Sequence, residues 1–174
     1  MGKFVYRKIE FEENKKNSFV GCFAPDFIRN DFFGNKIKLS YYKNKNFVLL
    51  SFWGSWCSPC IEAIIGENPK LKKIYDKYNK NGLEVIGISL DEEKNRWISA
   101  INNYKLNQWS QVLAVEEYNK YVFNYDDLGN LYDVKGVPYY ILIDKQGKII
   151  SRWDSLDEEQ MIEIDTILKN IKKI

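Results

Sequence analysis

The chain has 174 residues, 45% hydrophobic and 16% aromatic, which is enough apolar material for one packed domain and excludes disorder along its whole length. Lys and Arg total 26 against 24 Asp and Glu, and a net charge of +2 gives no electrostatic reason for a nucleic-acid or anionic-membrane partner. There is no His, and the three Cys are Cys22, Cys57 and Cys60; this excludes Ser-His-Asp triads, Cys-His pairs, His-ligated zinc and proximal-His haem, and leaves no complete Cys/His metal set.

In chain order, residues 1–19 are polar and charged, with a loose apolar alternation at Phe4, Tyr6 and Ile9, and read as an appendage to a domain spanning 20–174. Met1 to Lys8 has no apolar signal-peptide core. Val20-Gly21-Cys22 faintly echoes a lipoprotein cleavage box, but the charged run Glu10 to Lys16 before it argues against that reading. No apolar run approaches the roughly eighteen residues of a membrane span. The expectation is a cytoplasmic protein, or an exported one represented without its signal.

Asp26 to Phe33 and Lys36 to Leu39 flank Gly34-Asn35 and predict a small hairpin. Phe47 to Trp53 is a continuous apolar run of strand length, broken by Gly54-Ser55-Trp56. A helix is expected from Cys57 to about Asn81, stopped by Gly82 and kinked or broken near Gly66 and Pro69. Leu83 to Leu90 reads as a second buried strand, and Asp91 as the N-cap of a helix that turns Trp97, Ile101 and Tyr104 inward. Gln111 to Val115 predicts a short strand and Tyr118 to Tyr125 a short helix. Tyr139 to Asp144 is a third strong strand, followed by a turn at Lys145-Gln146-Gly147-Lys148 and a strand from Ile149 to Trp153. Ser155-x-x-Glu158 reads as a capping box opening a last helix with Met161, Ile164, Leu168 and Ile171 on its apolar face. The order β-α-β-α-β-β-α is that of a layered α/β domain.

Trp56-Cys57-Ser58-Pro59-Cys60 stands between a strand and a helix, and Val137-Pro138 stands just before a strand. With Ala24-Pro25-Asp26-Phe27, Phe52-Trp53-Gly54-Ser55 and Gly136 to Asp144, these segments resemble the thioredoxin fold, and within it the TlpA/ResA-like branch of thiol–disulfide oxidoreductases. The resemblance covers residue 20 to the C-terminus. It implies a thioredoxin-like α/β domain with a central mixed sheet flanked by helices and an N-terminal hairpin extension. It also implies electron exchange between a Cys57–Cys60 dithiol or disulfide and protein substrates.

A thiolate is the attacking species in disulfide exchange, and an ordinary Cys near pKa ~8.5 is scarcely ionised at neutral pH. Cys57 at a helix N-terminus would face free backbone N–H groups and the positive end of the dipole, which lowers its pKa. Cys60, one turn on and more buried, would resolve the mixed disulfide. Pro59 suits the first helical turn because its missing N–H would have no partner there. Ser58-Pro59 adds no charge. Cys22 reads as a small buried hydrophobe.

The resemblance further makes Pro138 a cis-proline facing the pair, exposing the Val137 backbone to a substrate strand. Ser58, Pro59, Val137, Pro138 and Trp56 are therefore the expected substrate-binding residues. The family commonly places Glu-x-Pro with its Glu three residues after the second Cys. Here Glu67-Asn68-Pro69 begins seven residues after Cys60. The four extra residues are about one helical turn, so Glu67 would keep its facing ~6 Å further along the axis. Glu67 is the candidate proton relay and Glu62 its rival. Ser51 holds the central-strand place where ordinary thioredoxin has a buried Asp. Trp53 reads as core or as an apolar shelf beside Cys57, and Trp97 and Trp109 read as core or rim.

The resemblance implies no cofactor beyond the redox disulfide and no metal. It implies protein thiols and disulfides as substrates, an upstream electron donor that can be membrane-bound, a monomer, a reductant role, and a place in the cell envelope or periplasm. Two other functions compete. One is a thiol peroxidase, whose Pro-x-x-x-Thr-x-x-Cys string would need a Thr where Gly54 stands. The other is a non-catalytic binding module, against which an intact C-x-x-C argues.

Overall fold

A computed structural model of the chain describes residues 12–13, 16, 18–116 and 127–169. The predicted helix at Tyr118 to Tyr125, the alternation at Phe4 to Ile9 and the position of Ile171 lie outside the described residues.

A five-stranded mixed sheet runs in the order β5-β4-β3-β6-β7, with a separate two-stranded hairpin β1-β2. The strands are β1 (Ile28–Asn30), β2 (Lys36–Lys38), β3 (Phe47–Trp53), β4 (Leu83–Ser89), β5 (Ser110–Leu113), β6 (Tyr139–Ile143) and β7 (Ile149–Trp153). The helices are α1 (Ser58–Ile65), α2 (Lys70–Tyr78), α3 (Lys94–Tyr104), α4 (Leu128–Leu131) and α5 (Glu158–Lys169). β3 pairs parallel with β4 and antiparallel with β6, so β3 and β4 end, and β6 begins, at one edge of the molecule. That edge carries the chemistry. The hairpin turns at Gly34 with φ +87°, a backbone region open to glycine at little steric cost.

β3 and β4 are apolar on both sides because both of their sides are covered. Leu49, Trp53, Leu83, Val85, Tyr140 and Leu142 face α1, α2, α3 and α5, in one cluster with Cys57, Cys60, Leu71, Trp97 and Ile164. Val48, Leu50, Phe52, Ile86, Ile88 and Ile141 face the hairpin side, where Phe27, Leu39, Leu128 and Tyr132 cover them. Each such fully buried aliphatic or aromatic side chain stabilises the fold by about 1.5–3 kcal/mol.

The expected long helix after Cys57 is two helices. Gly66 closes α1 in an extended conformation, and Pro69 stands at the N-cap of α2. Three local expectations are corrected. Asp91 does not cap α3: the N-cap is Glu93, which makes no side-chain cap bond, and Asp91 is drawn instead toward the turn after β3. Ser155 does not cap α5; the Asp157 carboxylate takes the Glu159 N–H at 3.0 Å, being nearer the first turn. Tyr104, near the end of α3, is exposed, while Trp97 and Ile101 are buried as expected.

Candidate active site

At the end of β3 the Trp53 carbonyl accepts the Leu90 N–H at 2.8 Å, which keeps β3 and the chain after β4 in step as they leave the sheet. Gly54-Ser55-Trp56 then turns the backbone into α1, with the Cys57 N–H donating to the Gly54 carbonyl at 3.0 Å. The Trp56 indole lies against Gly54, where a Cβ would come within 2.7 Å of the ring. A side chain at position 54 would therefore have to displace the Trp56 ring.

Cys57 and Cys60 form a disulfide with Cα atoms 5.3 Å apart. Cys57 is the N-cap of α1, and its Sγ accepts the Cys60 N–H at 3.2 Å. The Ile61 N–H donates to the Cys57 carbonyl at 3.2 Å, so the first helical turn closes directly on Cys57. On reduction, the amide hydrogen now aimed at Sγ would face a thiolate, the arrangement that stabilises one. Cys57 is 4% exposed and Cys60 2%, with Ser58 and Pro59 on the outside of the turn. Cys60 packs into the cluster with Ile64 and Leu71. Cys22, expected to be buried, is a half-exposed free thiol in the irregular segment before β1.

The register Phe52↔Tyr139 places Pro138 across from Trp53, at the same sheet edge as Cys57. The Val137–Pro138 peptide bond is cis. Val137, Pro138, Tyr139, Phe19, Asp133 and Arg152 line an open groove of about 950 Å³ beside this loop. Arg152 lies over the rings of Phe19 and Tyr139, at 5.9 and 5.3 Å from their centroids. It donates to the Ser18 carbonyl and, at 2.6 Å, to the Tyr132 carbonyl.

The acidic residues after Cys60 are placed differently from the expectation. α1 ends at Ile65, so Glu67 does not continue its face; it is exposed, in the break before α2. Its N–H donates at 3.0 Å to the carboxylate of Glu62, which folds back over Gly66 and is also exposed. Ser51 is buried on the Leu49–Trp53 side of β3, paired with Tyr140, whose hydroxyl burial pushes well above its ordinary pKa.

Two buried polar residues support the site without any local motif to announce them. The Asp91 carboxylate accepts the Ser55 N–H at 2.9 Å and the hydroxyls of Ser55 and Ser89, each at 2.6 Å. Gln111 of β5 accepts the Trp53 indole N–H at 3.0 Å and donates to the Leu106 carbonyl at 2.7 Å. The usable signal is topological. Asp91 follows β4, the neighbour of β3, and Gln111 lies on β5, one strand further out, so only the strand order brings them to the site. Among the described residues no group of three or more His, Cys, Asp or Glu is arranged to hold a metal.

Residues 20–168 match the AhpC/TSA family. The chain is 33% identical over 175 residues to a protein of Bacillus cereus named thiol–disulfide oxidoreductase ResA, covering 98% of this chain and 88% of that one. It is 31% identical to the ResA of Bacillus anthracis over 161 residues, covering 92% and 83%. Among solved structures, a thiol–disulfide oxidoreductase of Bacteroides fragilis superposes with a TM-score of 0.68 at 31% identity, over 84% of this chain and 99% of that one.

Proposed function

We infer the activity from one premise: the chain belongs to the AhpC/TSA family and is a homologue of ResA thiol–disulfide oxidoreductases with a thioredoxin-like fold. It is a thiol–disulfide oxidoreductase that exchanges electrons between Cys57–Cys60 and protein thiols or disulfides. The observation that carries this reading is a C-x-x-C disulfide whose first sulfur caps a helix and accepts that helix's amide hydrogen.

In the reducing direction, the Cys57 thiolate attacks one sulfur of a client disulfide. A mixed disulfide forms, and the other client sulfur leaves as a thiolate and takes up a proton. Cys60 then loses its proton and attacks the Cys57 sulfur, releasing the second client thiol. The client gains two electrons, and the pair returns to the disulfide described above. Trp56, which is 61% exposed, is the apolar shelf beside the nucleophile, and Ser58 and Pro59 are the remaining client-facing residues of the turn. The Val137–Pro138 backbone is the edge against which an extended client segment lies. The proposed setting is the cell envelope, with a membrane-bound donor renewing the dithiol and the protein acting as a monomeric reductant.

The test is reduction of insulin disulfides with a dithiol donor. Cys57→Ser is expected to lower the rate at least ~100-fold, since the substituted hydroxyl is not ionised at neutral pH; a variant as fast as the wild type defeats the proposal. In the reduced protein Cys57 should alkylate faster than Cys60. A reduction potential near the roughly −270 mV of thioredoxin marks a reductant, and one near the roughly −120 mV of DsbA an oxidant. The family also prompts a peroxidase reading. Against it, the place of its Thr is taken by Gly54, against which the Trp56 ring packs. Consumption of hydrogen peroxide by the reduced protein would favour that alternative.

A further inference from the structure

We propose that Asp91 is a positioning residue of the redox centre: its carboxylate staples the turn Gly54–Trp56 to the end of β4 and so holds Cys57 at the head of α1. The proposal deepens the oxidoreductase reading and rests on it. Three observations converge. Asp91 is 4% exposed, and among the described residues it forms no ion pair, so hydrogen bonds alone compensate its burial. Two of the three come from one residue, Ser55, through its backbone N–H and its hydroxyl, and the third from Ser89 at the end of β4. Ser55 is the middle of the turn, two residues before Cys57, whose own N–H bonds back to Gly54.

The staple fixes the turn from both sides. Ser89 is in register with Trp53, so the strand end that supplies one donor is already locked to the strand end that starts the turn. Asp91 reaches across from there and takes both donors of Ser55. Without it, the Ser55 N–H has no partner given by the fold, and the turn is held only by the Cys57-to-Gly54 bond and the packing of Trp56 on Gly54. A turn free to shift moves the Cys57 sulfur relative to the amide hydrogen that faces it, and reactivity that depends on that alignment falls. Glu92 and Asp127 share with Asp91 a shallow cavity of about 150 Å³ that Ser55 does not line, and play no part in the staple.

The experiment uses the full chain, reduced and freed of dithiol, in four variants: Asp91→Ala, Asp91→Asn, Ser55→Ala and the double Ser55→Ala/Asp91→Ala. Two quantities are read without any client: the rate of Cys57 alkylation by iodoacetamide at one pH, and the Cys57–Cys60 reduction potential in a glutathione buffer. Melting of the oxidised and reduced forms is followed alongside. Asp91→Ala should slow Cys57 alkylation about tenfold, short of the hundredfold that a 1 Å displacement can cause, and should shift the potential. Asp91→Asn should restore the rate to within about twofold, because its carbonyl can take the Ser55 N–H and Ser89 hydroxyl while the Ser55 hydroxyl turns to accept from its amide. The double variant should be no slower than Asp91→Ala, since one residue acts through the other.

The proposal is overturned if Asp91→Ala alkylates at the wild-type rate with an unchanged potential while both redox forms melt lower, which is a purely structural role. It is also overturned if Asp91→Asn is as slow as Asp91→Ala, or if the two single losses add in the double variant. Should Asp91→Ala not fold, Ser55→Ala and Asp91→Asn decide: Ser55→Ala with the wild-type rate and potential overturns the staple. Because both readouts need no client, a wild-type protein inactive on insulin would defeat the oxidoreductase reading and leave these results standing.

Discussion

The two ends of α1 are built to different standards. Its N-terminal end is dry: Cys57 is almost fully buried and accepts a helical amide, and the turn before it is bonded to Asp91 at the end of β4. Its C-terminal end is wet: Gly66 breaks the helix, and the Glu62 carboxylate bends back to the Glu67 N–H in full contact with solvent. The difference teaches that sequence distance is a poor guide to influence on this site. Asp91 and Gln111, 34 and 54 positions beyond Cys57, bear on its geometry, while the acidic residues nearest to Cys60 are held by a bond that water can replace at little cost.

That contrast can be broken at several points. The largest effect is expected at Gly87, in the middle of β4. A Cβ there would lie 2.1 Å from the Gln111 carbonyl oxygen, so Gly87→Ala must push Gln111 off Trp53. It should lower unfolding free energy by about 3 kcal/mol in urea titration, and insulin reduction should weaken with it. Gln111→Leu keeps the volume but strands the Trp53 indole N–H and the Leu106 carbonyl, and should cost about 2 kcal/mol. If either variant is as stable as the wild type, the dry end is less demanding than the structure implies.

A smaller effect sharpens the comparison away from the site. Asp165 of α5 is bonded to Lys169, Lys77 and Tyr78, and those bonds, in that order, hold its carboxyl well below the usual carboxylate range. Burial first, and then the bond to Asp165, push Tyr78 up to about 12. The sign follows: a depressed folded-state pKa stabilises above the unfolded value of ~3.9 and is lost as the pH falls below it. Between pH 5 and pH 3 the wild type should therefore lose about 1 kcal/mol more than Asp165→Asn, discounted for partial exposure. The smallest effect belongs to the wet end. Glu67→Gln should change the insulin-reduction rate less than about twofold, as for other exposed surface substitutions; a larger loss would return Glu67 to the relay role its Glu-x-Pro string suggests.

Much of this molecule was legible in the sequence because its signals are local. The apolar runs at Phe47 to Trp53 and Tyr139 to Asp144 became β3 and β6, Gly34 turned the hairpin, and Cys57 and Pro138 came to one edge of the sheet. The misreadings share one physical cause. Asp91, placed before a helix, has the composition of an N-cap, but three donors from Ser55 and Ser89 outcompete the amides of α3. Ser155 lost its cap to Asp157, a charged acceptor closer to the first turn. Glu67 was expected on a helix that a glycine ends two residues earlier. In each case the chain offered a short-range partner and the fold supplied a better one, or removed the scaffold.

The guanidinium of Arg152 grips Ser18 and Phe19 on one side and Tyr132 and Tyr139 on the other. The chain at Ser18 and Phe19 is therefore held beside the molecule's working mouth, the groove lined by Val137 and Pro138. A tether attached there would aim that mouth as well as restrain it, and its length would govern which clients come within reach.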